Sequence, residues 1–232
     1  MIAPLFPGDP KKNDGLFILG ALQPKPFVFV YEQPVVEVVH GPSGKPSEEI
    51  YLDRCKEDNV PVLERRGGGG TVVLAPGMVV TIVVGPRDKY TALELFAKVQ
   101  GAIVAVLEKH GIGPVEHKGT SDLAITNRKF LGSSLYLGSN PALYYYQASL
   151  MVESDLSILS RYLKHPLKEP EYRQGRKHEE FCTTLKMAGY DLTAQKVCEM
   201  FRTELGEYLG KESEPADTDS GSEAVDKFTG YC

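Results

Sequence analysis

Two segments of the sequence carry residue types that suit an anionic ligand. The first comprises two arginines, four consecutive glycines and a threonine: Arg65, Arg66, Gly67, Gly68, Gly69, Gly70 and Thr71. Glycine loses more backbone freedom on folding than any other residue, so four in a row indicate a loop that must approach something closely. Exposed amides of such a loop can hold an anion, and guanidinium groups suit phosphate or carboxylate. We favour this interpretation over a flexible hairpin with incidental arginines.

The second segment places a lysine beside small residues. It runs from Gly119 to Ser134, with a tight turn at Asn127-Arg128 between two strand-like runs. Small residues on a strand leave room for a ligand, and three of them follow Lys129: Gly132, Ser133 and Ser134. A lysine there can stabilise charge that develops on a carboxyl or phosphoryl oxygen. Taken alone, however, Lys129 fits a surface hairpin lysine better, because lysines are mostly exposed.

Patterned runs predict the elements that must position these segments. β-Branched and aromatic runs over 27–84, broken by Gly and Pro, predict short strands. Three more strand-like runs follow: DLAIT, KFLGSSLYLG and LYYYQASLMV. A helix is predicted over 91–110, with one apolar face formed by Leu93, Phe96, Val99, Ile103 and Leu107. Thr91 and Glu94 form a capping-box pattern at its start, and Gly111 follows its end.

Two later helices complete the predicted architecture. They cover 155–163 and 193–209, the second with one face formed by Val197, Phe201, Leu205 and Tyr208. Strands in succession, with helices between and after them, favour an α+β domain over a doubly wound sheet.

Three motifs together resemble a known family. RRGGGGTVV, GTSDLAI and NRKFLGSS, in this order and spacing, resemble the catalytic domain of the lipoate–protein ligase A family. This family includes octanoyltransferases and is related to biotin protein ligases. SLMVESDL, at 149–156, extends the resemblance, which covers roughly residues 27–209. It implies an α+β fold of the biotin/lipoate ligase type, with a mixed or antiparallel central sheet flanked by helices.

The resemblance also implies roles for individual residues. In the family the matching lysine contacts the acyl carboxyl group and its activated form, so Lys129 becomes the expected catalytic residue. In the family, the glycine loop wraps the lipoyl tail and the adenylate. The residue that matches Asp155 lies near the nucleotide. The implied substrate- or nucleotide-binding residues are Arg65, Arg66, Gly67, Gly68, Gly69, Gly70, Thr71, Asp122, Gly132, Ser133, Ser134 and Gln147. No metal-binding residue is predicted.

The implied activity is ATP-dependent lipoate–protein ligation. Lipoate, or octanoate, would be activated as an acyl-adenylate, with Mg²⁺ carried on the triphosphate of ATP. A lysine of a lipoyl-carrier domain would then attack the activated carbonyl, so no protein nucleophile is needed. The expected acceptors are lipoyl domains of 2-oxoacid dehydrogenase complexes or the glycine cleavage H protein. A separate small accessory subunit is a further candidate partner, in place of the accessory C-terminal domain that some ligases carry.

Two other functions remain open. Octanoyl transfer from an acyl carrier protein uses a cysteine relay in this family. One branch has that cysteine in the stretch that matches 113–119, and another has it near 165–167, but neither stretch contains cysteine here. Cys182 comes later and is expected to be a buried structural thiol, which favours the ligase. A non-catalytic paralogue that binds acylated proteins is favoured by Leu74 and Gln147, where many relatives have histidine.

A third segment, 172–181, concentrates four basic side chains after a proline-rich loop. It is either a solvated loop or a flank of the ligand pocket that meets ATP phosphates or an acidic acceptor domain. The sequence does not decide between these two interpretations.

Composition limits the remaining classes of protein. The 232 residues contain 26 basic and 31 acidic side chains, so a general nucleic-acid binder is not expected. No apolar run predicts a membrane span, and the first residues do not form a secretory signal. Four scattered cysteines predict neither a disulfide framework nor a zinc site, which favours the cytoplasm. A catalytic domain is predicted over 1–210 and a flexible acidic tail over 211–232.

Overall fold

The computed structural model describes residues 26–88, 90–140 and 142–210. The strands are β1 (Phe27–Glu32), β2 (Glu37–His40), β3 (Val62–Glu64), β4 (Val72–Leu74), β5 (Met78–Pro86), β6 (Glu116–Lys118), β7 (Asp122–Ile125), β8 (Arg128–Leu137) and β9 (Leu143–Met151). The α-helices are α1 (Pro46–Glu49), α2 (Leu52–Glu57), α3 (Ala92–Lys109), α4 (Ser157–Tyr162), α5 (His178–Phe181) and α6 (Ala194–Gly210), with a 3₁₀ helix at Glu171–Arg173. The predicted tail, 211–232, lies outside the described residues, and the predicted domain boundary remains a prediction.

The main sheet has six strands in the order β1-β5-β9-β8-β7-β6, and every neighbouring pair is antiparallel. Tight turns place β7, β8 and β9 side by side in chain order. The turn between β7 and β8 has positive φ at Thr126 (49°) and Asn127 (58°), which is the twist that two-residue hairpins favour. β8 therefore begins beside β7, and Lys129 lies at this end of the sheet.

A second sheet of three strands, in the order β3-β2-β4, was not foreseen as a separate unit. Its β2 and β3 strands are parallel, and the crossover between them contains α1 and α2. Its β2 and β4 strands are antiparallel. The predicted glycine loop is the connection from β3 to β4, so both ends of the loop are held by this sheet.

Both faces of the main sheet are covered, which explains the continuous apolar run in β5. Val79 and Val83 point toward α3 and α6, where they join the largest buried cluster. Alternate residues of a strand face opposite sides, so Val80 and Ile82 pack against the small sheet instead. α4 and α5 close the remaining part of that side through a third cluster, which includes Met78.

The structure confirms the boundaries predicted for α3. Thr91 accepts a hydrogen bond from the Glu94 backbone, while the Glu94 carboxylate accepts from the Thr91 backbone, and Gly111 adopts a φ of 74° after the helix. The predicted apolar face was wrong at one position, since Leu93 is 66% exposed and Leu95 is buried. Leu93 lies about a third of a turn from the centre of the buried face, given 3.6 residues per turn.

The two later helices differ in how well they follow the prediction. α6 agrees with the helix predicted over 193–209, and Val197, Phe201 and Leu205 are buried. α4 (Ser157–Tyr162) is shorter than the predicted 155–163, and Asp155 lies outside it. The Asp155 carboxylate accepts hydrogen bonds from the Ser157 backbone (2.9 Å) and the Ser157 hydroxyl (2.7 Å), so it stabilises the turn that leads into the helix.

Among the described residues, no helix combines the length and the apolar character that crossing a membrane requires.

Two leucines of α3 give a matched test of this packing. Leu107 is fully buried against α6, whereas Leu93 is 66% exposed. We expect Leu107→Ala to lower the free energy of unfolding by about 2–5 kcal/mol, because it leaves a cavity. Leu93→Ala should change it by less than about 0.5 kcal/mol. Urea denaturation measures both values, and equal losses would contradict the assigned helix face.

Candidate active site

A cavity lies between the small sheet, the β7–β9 end of the main sheet and the segment 166–182. It has two connected chambers: a smaller one of about 240 Å³, which we call the inner chamber, and a larger one of about 720 Å³, which we call the outer chamber. Both chambers share the residues at their junction: Gly69, Gly70, Thr71, Val72, Lys129, Gly132, Ser149, Pro166, Lys168, Arg173 and Phe181.

Most of the residues predicted for the site converge on the inner chamber. Its wall includes Arg65, Gly69, Gly70, Thr71, Asp122, Lys129, Gly132, Ser133, Ser134 and Gln147. The other three, Arg66, Gly67 and Gly68, line neither chamber. The glycine loop and the lysine strand, which are about 60 residues apart in the sequence, therefore form facing walls of one cavity.

An ion pair connects the junction to the wall of the inner chamber. Lys129 Nζ is 2.8 Å from Asp122 Oδ1, and the two side chains are 22% and 8% exposed. A charge this far removed from water is costly without a partner, so the pair holds the ammonium group in place. Asp122 also accepts hydrogen bonds from the Ser121 hydroxyl (3.2 Å) and the Tyr172 hydroxyl (2.9 Å).

Gly132 provides the space that this ion pair occupies. A Cβ atom at position 132 would lie 2.8 Å from both Cε and Nζ of Lys129. Gly132 is paired with Ser149 across β8 and β9, and Ser134 is paired with Gln147. These small residues form a trough on the sheet. Ser149 was missed by the sequence analysis, although its two-residue spacing from Gln147 places both on the same face.

Arg65 organises the glycine loop from within. Its Nη2 donates hydrogen bonds to the carbonyl groups of Gly68 (3.0 Å) and Gly70 (2.8 Å), and its Nη1 donates to the Val39 carbonyl (3.3 Å). Burial lowers the pKa of Arg65 to about 10, so the side chain stays charged near neutral pH. Because its donors bind loop carbonyls, Arg65 supports the loop that a ligand would contact.

Close backbone approaches fix the loop at two further points. A Cβ atom on Gly67 would lie 3.0 Å from the Ser134 hydroxyl, so this glycine packs against β8. Gly69 has a φ of 105°, which glycine adopts without strain. The Gly69 carbonyl lies so close to Gly41 that a Cβ atom there would approach it to 2.6 Å. No neighbour lies within 4 Å of the Cβ position of Gly68 or Gly70.

Arg66 differs from Arg65 in its surroundings. It is exposed, and its guanidinium carbon lies 5.8 Å from the centroid of the Tyr136 ring.

Thr71, at the other end of the loop, donates a hydrogen bond from its hydroxyl to Glu49 Oε2. Glu49 lines the outer chamber, so this contact connects the loop to α1.

Part of the basic segment 172–181 packs against the cavity, whereas Lys177 stays exposed. Arg173 is 5% exposed and lines both chambers. Its Nε donates to the Arg176 carbonyl (3.0 Å), and its guanidinium carbon lies 4.8 Å from the centroid of the Phe181 ring. His178 lines the outer chamber. Burial lowers the pKa of its imidazole, so the side chain is mostly neutral at pH 7.

Cys182 lies next to Lys129 in space. Its backbone forms a parallel bridge with Lys129, and the following Thr183 amide donates to the Lys129 carbonyl (2.8 Å). The predicted burial of this thiol is confirmed, since Cys182 is 7% exposed and lines the outer chamber. Burial raises the pKa of the Cys182 thiol, so the thiol form predominates at neutral pH.

Both chambers combine apolar and cationic side chains. The inner chamber has an apolar side formed by Val39, Val72 and Leu74, and its cationic side chains are Arg65, Lys129, Lys168 and Arg173. The outer chamber combines apolar side chains with cationic ones, the latter being Lys45, Lys129, Lys164, Lys168 and Arg173. An apolar pocket with a few convergent charged groups suits an amphipathic acid. Asp155, which the resemblance places near a nucleotide, lines neither chamber and binds the Ser157 backbone at the start of α4 instead.

Residues 19–206 match the family described as "Lipoyl protein ligase A/B catalytic domain". That match spans most of the chain and contains every residue that lines the two chambers. The chain belongs to this family. The resemblance indicated by the glycine and lysine motifs is therefore confirmed.

Two curated relatives are similar over part of their length. "Probable lipoate-protein ligase A" of Mycoplasma genitalium is 26% identical over 136 residues, which are 59% of this chain and 40% of that protein. Human "Lipoyl amidotransferase LIPT1, mitochondrial" is 27% identical over 146 residues, 62% of this chain and 38% of that protein. The chain thus spans about two fifths of the length of these relatives.

Solved structures of lipoate ligases share the fold. A bi-partite lipoate protein ligase of Thermoplasma acidophilum, described with its E2 lipoyl domain, has a TM-score of 0.72 at 22% identity, covering 85% of this chain and 76% of that one. A lipoate-protein ligase A bound with ATP has a TM-score of 0.69 at 21% identity, covering 85% and 78%. These likenesses confirm the predicted α+β fold with an antiparallel sheet flanked by helices.

The contact between Gly132 and Lys129 generates a direct structural test. We expect Gly132→Ala to move Lys129 Nζ out of ion-pair distance of Asp122, because the added Cβ would lie 2.8 Å from Nζ. Only the end of a flexible side chain must move, so the fold should persist. A crystal structure of the variant measures the distance from Nζ to Oδ1.

Gly101→Ala is the matched control, since a Cβ at this position of α3 has no neighbour within 4 Å. It should stabilise the protein by about 0.5–1 kcal/mol and leave the ion pair intact. An unchanged distance between Lys129 and Asp122 in Gly132→Ala would contradict the role given to this glycine.

Proposed function

We propose that the chain catalyses ATP-dependent ligation of lipoate, or a similar medium-chain acid, to a lysine of a lipoyl-carrier domain. The observation that carries this proposal is that Lys129 lines both chambers. An acid with its hydrocarbon in the inner chamber would bring its carboxylate to this ammonium group. A nucleotide in the outer chamber would bring its α-phosphate to the same place.

The outer chamber suits a triphosphate. Lys45, Lys164, Lys168 and Arg173 line it, and cationic side chains of this kind bind and screen phosphate oxygens. Among the described residues, no group of three or more His, Cys, Asp or Glu side chains could hold a metal ion. We propose that Mg²⁺ is carried by the phosphate oxygens of ATP, where it would neutralise further charge. The lipoate-protein ligase A solved with bound ATP, which shares this fold, supports ATP as a substrate here.

The reaction would proceed in two steps at Lys129. The acyl carboxylate attacks the α-phosphorus of ATP, and pyrophosphate leaves with the broken bond's electron pair. The neutral ε-amine of the acceptor lysine then attacks the acyl carbonyl, AMP leaves with the electron pair of the broken C–O bond, and the proton of the amine passes to solvent. In both steps negative charge develops close to Nζ, which stabilises it electrostatically. The loop amides at Gly69 and Gly70 line the junction, where they can bind the phosphate or the acyl oxygen.

The proposed acceptors are lipoyl domains of 2-oxoacid dehydrogenase complexes or the glycine cleavage H protein. The Thermoplasma acidophilum ligase described with its E2 lipoyl domain supports the first of these. That ligase is bi-partite, which supports a separate accessory subunit here as well.

Acyl transfer through a thioester is the second candidate function. It is favoured by the position of Cys182 beside Lys129 and by the similarity to a lipoyl amidotransferase. Against it, burial raises the pKa of Cys182, whereas a nucleophilic cysteine needs a lowered one. The ligase is therefore the better-supported proposal.

Removal of the ammonium group tests the ligase directly. We expect Lys129→Ala to lower kcat/KM by roughly 10²–10³, because it removes the stabilising charge at the reacting carboxyl group. Pyrophosphate release that requires both ATP and lipoate, together with the mass of an apo lipoyl domain after the reaction, measures the activity.

Lys186→Ala is the matched control, since this lysine is 61% exposed and lies outside both chambers. It should retain the wild-type rate. Lipoylation that proceeds equally well without ATP, or a Lys129→Ala variant with wild-type turnover, would refute the ligase proposal.

The thiol of Cys182 separates the two candidate functions. A ligase needs no protein nucleophile, so Cys182→Ala should keep kcat within a few-fold of wild type while remaining folded. A thioester relay would lose turnover entirely, because no covalent intermediate could form. Octanoyl transfer from acyl carrier protein and ATP-dependent ligation are measured in parallel on the same preparations. Loss of activity in the folded variant would favour the transferase.

A further inference from the structure

Asp122 collects donors from three parts of the chain. Its Oδ1 is bound by Lys129 Nζ (2.8 Å) and by the Ser121 hydroxyl (3.2 Å). Its Oδ2 accepts a hydrogen bond from the Tyr172 hydroxyl (2.9 Å). Tyr172 lies 50 residues further along the chain, in the 3₁₀ helix. The two carboxylate oxygens are thus divided between different partners, with Lys129 on one oxygen and Tyr172 on the other.

Tyr172 is itself held firmly. Its ring centroid lies 5.0 Å from that of Phe181, and its backbone carbonyl accepts a hydrogen bond from Arg176 (2.7 Å). Burial and the negative charge of Asp122 raise the pKa of Tyr172, so its hydroxyl keeps the proton that it donates. Tyr172 lines neither chamber. Its effect on a ligand would therefore pass through Asp122.

Because the two Asp122 oxygens have different partners, Lys129 keeps donors with which it can bind a substrate. An ammonium group has three donors, and a single bond to Oδ1 leaves others to reach an acyl carboxylate. Without the Tyr172 hydroxyl, Oδ2 would lose its donor and Asp122 could turn both oxygens toward Lys129. The ammonium group would then be drawn toward Asp122 and away from the cavity.

We propose that Tyr172 is a positioning residue: its hydroxyl fixes Asp122 Oδ2, so that Asp122 holds Lys129 through Oδ1 alone and leaves it able to bind the acyl carboxylate. This inference rests on the proposed function, in which Lys129 contacts the acyl group. It assigns a role to a segment, 172–181, for which the sequence left two interpretations open.

The test is a double-mutant cycle measured with lipoate, ATP and an apo lipoyl domain. Tyr172→Phe keeps the ring on Phe181 and removes only the hydroxyl. We expect kcat/KM for lipoate to fall at least about tenfold, the effect of losing a hydrogen bond to a charged group. In an Asp122→Ala background the same change should alter kcat/KM by less than about twofold, because the partner is already absent. Additive losses would mean that Tyr172 is merely structural.

Tyr162→Phe is the matched control. The Tyr162 hydroxyl donates to Asp58 Oδ2 (2.8 Å), and Arg161 binds the same oxygen, so here too a tyrosine hydroxyl meets a carboxylate that is paired with a cation, but the two partners are not divided between its oxygens. Tyr162 lines neither chamber, and its variant should change thermal stability but not kcat/KM.

A rescue experiment restores the donor at position 172. 4-Aminophenylalanine at this position supplies an N–H donor at the same ring position and should recover most of the lost activity. Failure of this rescue would overturn the proposal.

The outcomes separate this inference from the proposed function. If the wild type does not consume ATP and lipoate, the proposed function itself is wrong. If the wild type is active and Lys129→Ala is not, but Tyr172→Phe stays within twofold of wild type, only the role of Tyr172 is overturned.

Discussion

The site depends on one constraint: an ammonium group largely removed from water must have a negative partner. Asp122 supplies that partner at 2.8 Å, and the neighbouring elements serve the pair. β8 contributes Lys129 together with Gly132, whose missing side chain makes room for the ammonium group. The 3₁₀ helix contributes Tyr172, which binds the other carboxylate oxygen. Residues distant in the sequence therefore meet because one charge has to be satisfied.

Elements with a strong local signal could be predicted from the sequence. β5, β8 and β9 follow from β-branched and aromatic runs, and α3 follows from its apolar period and its capping box. α1, α2 and α5 have only four to six residues, too short to show a period, and they form where tertiary contacts hold them. The separation of a small sheet from the main one depends on long-range pairing, which the strand pattern alone does not specify.

Only the part of the site that the sequence motifs contain could be predicted. The glycine loop and Lys129 stood out by residue type, and most residues of the implied set do line the cavity. What the motifs could not reveal was the different placement of the two arginines. Arg65 turns inward to bind loop carbonyls, whereas Arg66 stays exposed beside Tyr136. Arg173 was equally hidden, because its position depends on how a charged segment folds back over the cavity.

Gly41 lies outside every motif, yet its missing side chain admits the Gly69 carbonyl. The loop and position 41 are therefore a single structural unit, because a side chain at position 41 would displace the loop. A family comparison that counts only the glycine run would pass over a residue that the run cannot do without. A protein engineer who moved this loop onto another scaffold would have to carry the end of β2 with it.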